Sequence, residues 1–275
     1  MNGRSHRQHD LEPTSDREGL IELFLADRTA HAYGLADLEE PYWSASRWWR
    51  HGDAVVGAVG LPGLPDPVVY AISPVDPGGS LDLLAAVADQ LPDRWVGTGP
   101  TGMAARLSAT HHPLWSTPHQ KMVLARTDGL AAVDPRVQPL DRTHLAELEA
   151  LFALTHDASA YFSPDLLDGG DYVGIFTGAE LSAVGGTHVA SNMFSLVAVA
   201  NVATHPEHRR RGLARAVVNA LCHRLVERYE VVTLNVKVDN RAARALYHDL
   251  GFMDVYAYDE AELVRRQGLT RPDHT

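Results

Sequence analysis

Apolar positions in the second half of the chain switch between two periods. Leu145, Leu148, Leu151 and Phe152 recur at helical spacing behind Asp141, a candidate cap. Asp171 to Phe176 and Leu181 to Ala190 read as strands joined by the turn Thr177-Gly178-Ala179-Glu180. Ser195 to Thr204 is a longer strand, rich enough in Val and Ala to be covered on both faces. Leu213, Val217, Leu221 and Leu225 then lie four apart and form one helical stripe. Val231 to Val238 is a strand. Ala242, Ala243, Leu246, Tyr247 and Leu250 form a short helix with Gly251 as its C-cap, and Phe252 to Tyr258 is a last strand before a charged tail.

The first half repeats this order more faintly. Ile21, Phe24 and Leu25 begin a helix; Asp53 to Gly60 and Pro67 to Ser73 are strand-like; Leu81 to Leu91 is helical. Arg94 to Gly97 is a short strand, Ala104 to Ser108 a short helix and His119 to Ala125 a closing strand. Matching elements lie about 125 to 137 residues apart, which predicts two copies of one unit. The expected class is mixed α/β, with two domains, 1–130 and 131–275, each a twisted mixed sheet flanked by helices. Thr127 to Pro139 reads as the linker.

Composition narrows the function. The 275 residues are 45% hydrophobic, which suits a full core. A formal net charge of −11 argues against a general nucleic-acid binder. The single cysteine, Cys222, excludes an intrachain disulfide and a thiolate zinc site, and its apolar setting marks it as a core residue. Met1 to Asp10 lacks the apolar core of a signal peptide, and no stretch approaches the roughly 20 apolar residues of a membrane span. The expectation is a cytoplasmic protein with no membrane and no nucleic-acid partner.

The segment from Asn201 to Ala214 runs from strand into helix. A helix N-terminus offers free backbone N–H groups and partial positive charge, so a pyrophosphate can sit there. Gly212 removes the side chain that would block close approach, and Arg209, Arg210 and Arg211 add charge in an acidic chain. A solvated basic turn is the alternative for the loop alone.

Its flanks carry a resemblance. Arg209-x-x-Gly212-x-Ala214, preceded by Val202-x-Thr204-x-Pro206, resembles the acyl-CoA loop of the GNAT superfamily of N-acetyltransferases. Asn235-Val236-x-x-x-Asn240-x-x-Ala243-x-x-Leu246-Tyr247-x-x-Leu250-Gly251-Phe252 resembles that family's second block. The likeness covers about residues 135 to 260. In the first half, Ser73-Pro74-Val75-Asp76-Pro77-Gly78-Gly79 has no arginine, so that copy resembles a degenerate GNAT-like domain without a CoA loop.

The resemblance implies acetyl transfer from acetyl-CoA to a primary amine of a small molecule or peptide, by direct attack in a ternary complex. It implies that two parallel strands splay around the pantetheine arm. Val202, Ala203 and Thr204 would supply strand contacts. Arg209, Arg210, Arg211, Gly212, Leu213, Ala214 and Arg215 would hold the pyrophosphate. Asn235 and Asn240 would assist, with structural roles as alternatives. Tyr247 matches the tyrosine that protonates the departing thiolate, or else is a packing aromatic.

Asn201 and Ala203 stand where many family members place a carboxylate, so the base is unassigned; His188 is a candidate, as is water. This gap supports an alternative, a non-catalytic acyl-CoA-binding regulatory or partner-binding module. The resemblance implies an acceptor bound by segments before the long strand, which here include Tyr161-Phe162-Ser163-Pro164-Asp165 and parts of the first domain. The assembly is expected to be a monomer or homodimer.

Three further patterns are discounted. Gly97-x-Gly99-x-x-Gly102 mimics a dinucleotide fingerprint, but Pro100 interrupts it and no acidic residue follows at the required distance. His205-x-x-His208 is the best metal pair among 15 histidines, yet it has no third ligand at matching spacing, so no metal is expected. Trp43, Trp48 and Trp49 read as core packing before an acceptor wall.

Overall fold

The computed structural model describes residues 11–61, 64–155, 161–169 and 171–266; the first ten residues and the end of the charged tail lie outside them. In chain order the regular elements are α1 (Arg17–Leu25), α2 (Ala32–Asp37), β1 (Arg47–His51), β2 (Ala54–Val59), β3 (Val68–Tyr70), α3 (Pro77–Val87), β4 (Arg94–Pro100), α4 (Met103–Arg106) and β5 (His111–Leu124). Then follow β6 (Gln138–Leu140), α5 (Leu145–Thr155), β7 (Tyr172–Thr177), β8 (Glu180–Ser191), β9 (Leu196–Thr204), α6 (Leu213–Val226), β10 (Val231–Lys237), α7 (Arg241–Asp249) and β11 (Phe252–Arg265). The mixed α/β class read from the sequence holds.

The chain divides into two units. One takes the residues up to Ala30, Asp37–His119 and those from Ala257 on; the other takes His31–Ala36 and Gln120–Tyr256. In the first, β1, β2 and β3 pair antiparallel in turn, and β3 pairs with β4 in parallel across the α3 crossover. The later half of β11 then pairs antiparallel with β4, from Tyr258↔Pro100 to Val264↔Arg94. Leu83, Leu84 and Val87 of α3 pack on Trp49, Val56, Val69 and Trp95. Trp48 and Trp49 are fully buried, as the packing reading requires, whereas Trp43 is only half-buried. Gly97 lies on β4 where an added Cβ would fall 2.5 Å from the Val69 carbonyl oxygen, so this glycine serves strand packing.

The second unit repeats that order. β6, β7, β8 and β9 pair antiparallel, and β9 pairs with β10 in parallel across α6. The predicted stripe Leu213, Val217, Leu221 and Leu225 is buried, with Val218 and Cys222, against Val173, Ile175, Val197, Val199, Val232 and Leu234. Each such side chain contributes roughly 1.5–3 kcal/mol on burial. On the opposite sheet face, Leu148, Leu151 and Phe152 of α5 pack on Tyr172, Leu181, Val184 and Ala203. Asp141 is a cap as read: its carboxylate accepts from the Thr143 N–H, and His144 closes the capping box before α5.

Two strands are longer than their patterns. β5 starts at His111 and β11 runs on to Arg265. Charge hid the extension of β11, and Pro113 and Pro118 hid that of β5. Along β11, Glu262 accepts from the Arg94 guanidinium (2.5 Å) and the Trp115 indole (2.9 Å), and Asp259 accepts from the Gly102 N–H (2.8 Å). Arg265 is buried and paired with Asp89 and Asp93. Charges satisfied across strands look, in one dimension, like a solvated tail. The predicted linker is shorter than read, because Gln138 and Pro139 already pair with β7 as part of β6, and it is anchored: Asn219 of α6 accepts from the Ala131 N–H (2.9 Å) and donates to the Ala131 carbonyl (3.0 Å). Gly251 ends α7 at φ +102°, with the Arg126 carbonyl oxygen where a Cβ would stand, so only glycine fits there.

Candidate functional site

β9 and β10 begin side by side and then part. Their parallel pairing runs from Leu196↔Val231 to Val199↔Leu234 and stops, although β9 continues to Thr204 and β10 to Lys237. On its other side β9 stays paired with β8 as far as Thr204↔Ala183. The His205 N–H donates to the Ser182 carbonyl (2.9 Å). Because backbone direction alternates along a strand, Ala203 shares the inward sense of His205, towards β8. The amide and carbonyl of Val202 and Thr204 therefore point the other way, into the opening.

A bulge fits β9 to this task. Gly186 pairs with Ala200 and Val184 with Ala203, so Asn201 and Val202 together face one residue of β8. Asn201 adopts φ +51°, a left-handed conformation that asparagine tolerates. Its side-chain amide donates to the Tyr172 hydroxyl at 2.7 Å, and the Tyr172 ring lies where a Cβ on Gly186 would be. Tyr172 is a part of the site the sequence reading missed; its only signal was the Gly185-Gly186 pair inside a strand.

At the far end of β9, Pro206–His208 makes one 3-10 turn, Arg210 takes φ +61° and Gly212 φ +75°. α6 starts after Gly212 with no side chain capping it, and an added Cβ on Gly212 would meet nothing within 4 Å. By contrast, Asp16, Asp76 and Asn240 cap α1, α3 and α7 with side-chain oxygens. Free N–H groups, an open approach and three exposed arginines make this end of α6 a receptive place for an anion. In the first unit, the Asp76 carboxylate occupies the matching end of α3, accepting from the Gly79 N–H at 2.8 Å.

Residues 172–261 match the family described as FR47-like protein. A putative acetyltransferase of the GNAT family from Novosphingobium aromaticivorans is 23% identical, over 72% of this chain and 84% of that one, with a TM-score of 0.56. A Drosophila protein is 15% identical over 93% of this chain and 98% of its own, with a TM-score of 0.68. A tandem GNAT protein from the clavulanic acid biosynthesis pathway is 15% identical over 92% and 97%, with a TM-score of 0.53. A search of curated proteins finds no match. This chain carries the GNAT fold.

Where the strands part, one buried group is unsatisfied among the described residues. Asn235 is the first residue of β10 past the last parallel pair, and its Oδ1 is buried with no hydrogen-bond partner among the described residues. A buried acceptor left alone costs about 1–3 kcal/mol, so it suits a donor brought by a ligand. Tyr247 is buried near Cys222 and packs 5.8 Å from the Phe252 ring. Burial, with a smaller effect of Cys222, pushes its hydroxyl up to about 12. Cys222 itself is raised to about 12 by burial, which keeps it an inert thiol.

Other predicted positions divide by what their side chains already do. Leu213 and Ala203 are buried in the two cores, so only their backbones remain for a ligand. Asn240 caps α7, accepting from the Ala243 N–H at 3.1 Å. Arg215 is ion-paired with Asp249 (2.5 Å). Arg209 Nε donates to the Thr204 carbonyl (3.3 Å), and Arg211 lies 3.1 Å from His208 Nδ1.

The His205/His208 pair gains a carboxylate that spacing could not reveal. Glu180, at the start of β8, lies 2.9 Å from His208 Nε2 and 3.5 Å from His205 Nε2. The three ligand atoms lie within 4.8 Å of one another, a spacing that could hold a metal ion. In this arrangement the Glu207 N–H points at His205 Nδ1 and Arg211 at His208 Nδ1. Both imidazoles thus present Nε2–H to Glu180, and a metal there would have to displace those protons. No helix among the described residues is long and apolar enough to cross a membrane.

Proposed function

We propose that the Gln120–Tyr256 unit transfers an acetyl group from acetyl-CoA to a primary amine of a small molecule or peptide. The observation that carries this reading is the conjunction of the parted β9 and β10 with the uncapped, arginine-flanked start of α6. Backbone N–H groups from Arg209 to Ala214 would hold the pyrophosphate, with the guanidinium groups of Arg209, Arg210 and Arg211 around it. Val202 and Thr204 would bond the pantetheine arm from the strand edge, and Asn235 from the facing strand. The amide of β9 would stabilise charge on the thioester oxygen as the amine attacks. Tyr247, protonated at any working pH, would give its proton to the departing thiolate. Holding amine and thioester together supplies much of the remaining acceleration.

The first unit would not bind CoA, because the Asp76 carboxylate already satisfies the end of α3 and would repel a phosphate. A second reading, acyl-CoA binding without turnover, draws on Asn201 and Ala203, which put no carboxylate on β9. Calorimetric titration with acetyl-CoA, followed by thiol release over a panel of amines, separates the two. Binding with amine-dependent release supports transfer; binding without it supports the module; no binding removes both.

A further inference from the structure

We infer that His188 takes the proton from the acceptor amine, so that the acceptor binds between this imidazole and the thioester. The inference rests on the acetyl-transfer reading above and supplies the base that β9 lacks.

His188 stands at the correct height. β8 pairs Thr187 with Val199 and Val189 with Ala198, so His188 is the extra residue of a bulge with no partner opposite it. Val199 is also the last residue of β9 paired with β10. His188 therefore flanks β9 at the level where the parallel strands separate, one strand away from the opening.

Its surroundings leave it available. The ring lies 5.6 Å from the Tyr33 ring and 5.3 Å from the Tyr161 ring, in a half-buried position. Tyr161 belongs to the segment in which the acceptor was expected. Neither ring nitrogen of His188 is hydrogen-bonded to a described residue. Asn201 donates to Tyr172, and His205 and His208 face Glu180, so these three groups are engaged elsewhere. The Lys121 ammonium sits 4.5 Å from the Tyr33 ring centroid, on an aromatic neighbour of His188. Burial alone lowers the imidazole to about 4, so it is neutral and carries a free lone pair at neutral pH.

The proton balance is direct. The neutral amine forms a bond to the acetyl carbon, and the carbonyl π pair moves to oxygen. Nitrogen is then positively charged, and its N–H passes a proton to the imidazole lone pair. As the oxygen pair returns, the carbon–sulfur bond breaks, and the thiolate takes the Tyr247 proton. The imidazolium then loses its proton to solvent while the phenolate regains one.

The test compares wild type with His188→Gln and His188→Ala, measuring acetyl-CoA affinity, kcat/KM for a turned-over amine, and rescue by added imidazole. The expected result is acetyl-CoA affinity within about threefold of wild type and kcat/KM lower by roughly 10²–10⁴. Imidazole should restore rate to His188→Ala and do nothing for the wild type. Retained kcat/KM, or a loss that imidazole does not relieve, overturns the role of His188. Failure of the wild type itself to bind acetyl-CoA would instead remove the transfer reading beneath it.

Discussion

The side-chain amide of Asn201 donates to the hydroxyl of Tyr172 at 2.7 Å, tying the bulge of β9 to the ring that covers Gly186. The bond fixes a left-handed residue in mid-strand, just where β9 turns its backbone towards the opening. Tyr172→Phe keeps the ring and removes the acceptor. It should cost about 1 kcal/mol of stability and reduce acetyl-CoA affinity several-fold, because Val202 and Thr204 lose their fixed direction. Urea unfolding and calorimetric titration check both effects; unchanged values for both would show that the bulge holds without the bond.

Gly212→Asp should damage the donor site while leaving the fold. The position has open space around it, so the side chain meets no core atom, but φ +75° is strained for aspartate and the new charge faces the incoming phosphates. Acetyl-CoA affinity should fall at least tenfold, with a far-ultraviolet spectrum like that of the wild type. Undiminished affinity would place the pyrophosphate elsewhere.

Tyr247→Phe removes one hydroxyl from a buried ring and keeps the packing on Phe252. If the phenol protonates the thiolate, kcat should fall by roughly 10²-fold while acetyl-CoA affinity stays within about twofold. With its pKa pushed up to about 12 by burial, the phenol stays protonated well past neutrality. No alkaline fall in rate below about pH 10 should then trace to Tyr247. Equal kcat in the variant would reduce this residue to packing.

His111 should couple stability to acid. It is fully buried beside Trp95, and burial, then Arg265, lowers its pKa from 6.5 to about 4. Between those values the unfolded chain binds a proton that the folded chain refuses, so stability falls as pH drops from about 6.5 towards 4. His188 is lowered to about 4 as well and acts in the same direction. Urea midpoints at pH 7, 6 and 5 should decline for the wild type and decline less for His111→Gln. Parallel slopes would show that other groups carry the acid sensitivity.

How much of this was legible in one dimension follows from which interactions are local. The α6 stripe, the β7–β8 turn, the Asp141 cap and the Gly251 stop were readable because helical period, turn residues and caps act within a few positions. The loop from Arg209 to Ala214 was readable for the same reason, since an anion-receptive helix start is built from consecutive residues. The far end of β11 was not, because its charged residues are satisfied by Arg94, Asp89 and Asp93, over 150 positions away, and the start of β5 was not, because Pro113 and Pro118 interrupt its strand pattern.

The sequence by itself therefore determined the helices and strands from α5 to α7 and the place of the candidate donor loop, but not α2, β1 or β6. Only the tertiary structure decided where β9 and β10 part, that Tyr172 reaches Asn201, that Glu180 joins His205 and His208, and that His188 stands level with the opening between Tyr33 and Tyr161. The physical reason is the same in each case. A strand's period states which face a residue takes, but register, bulges and neighbours across the sheet decide which atoms meet.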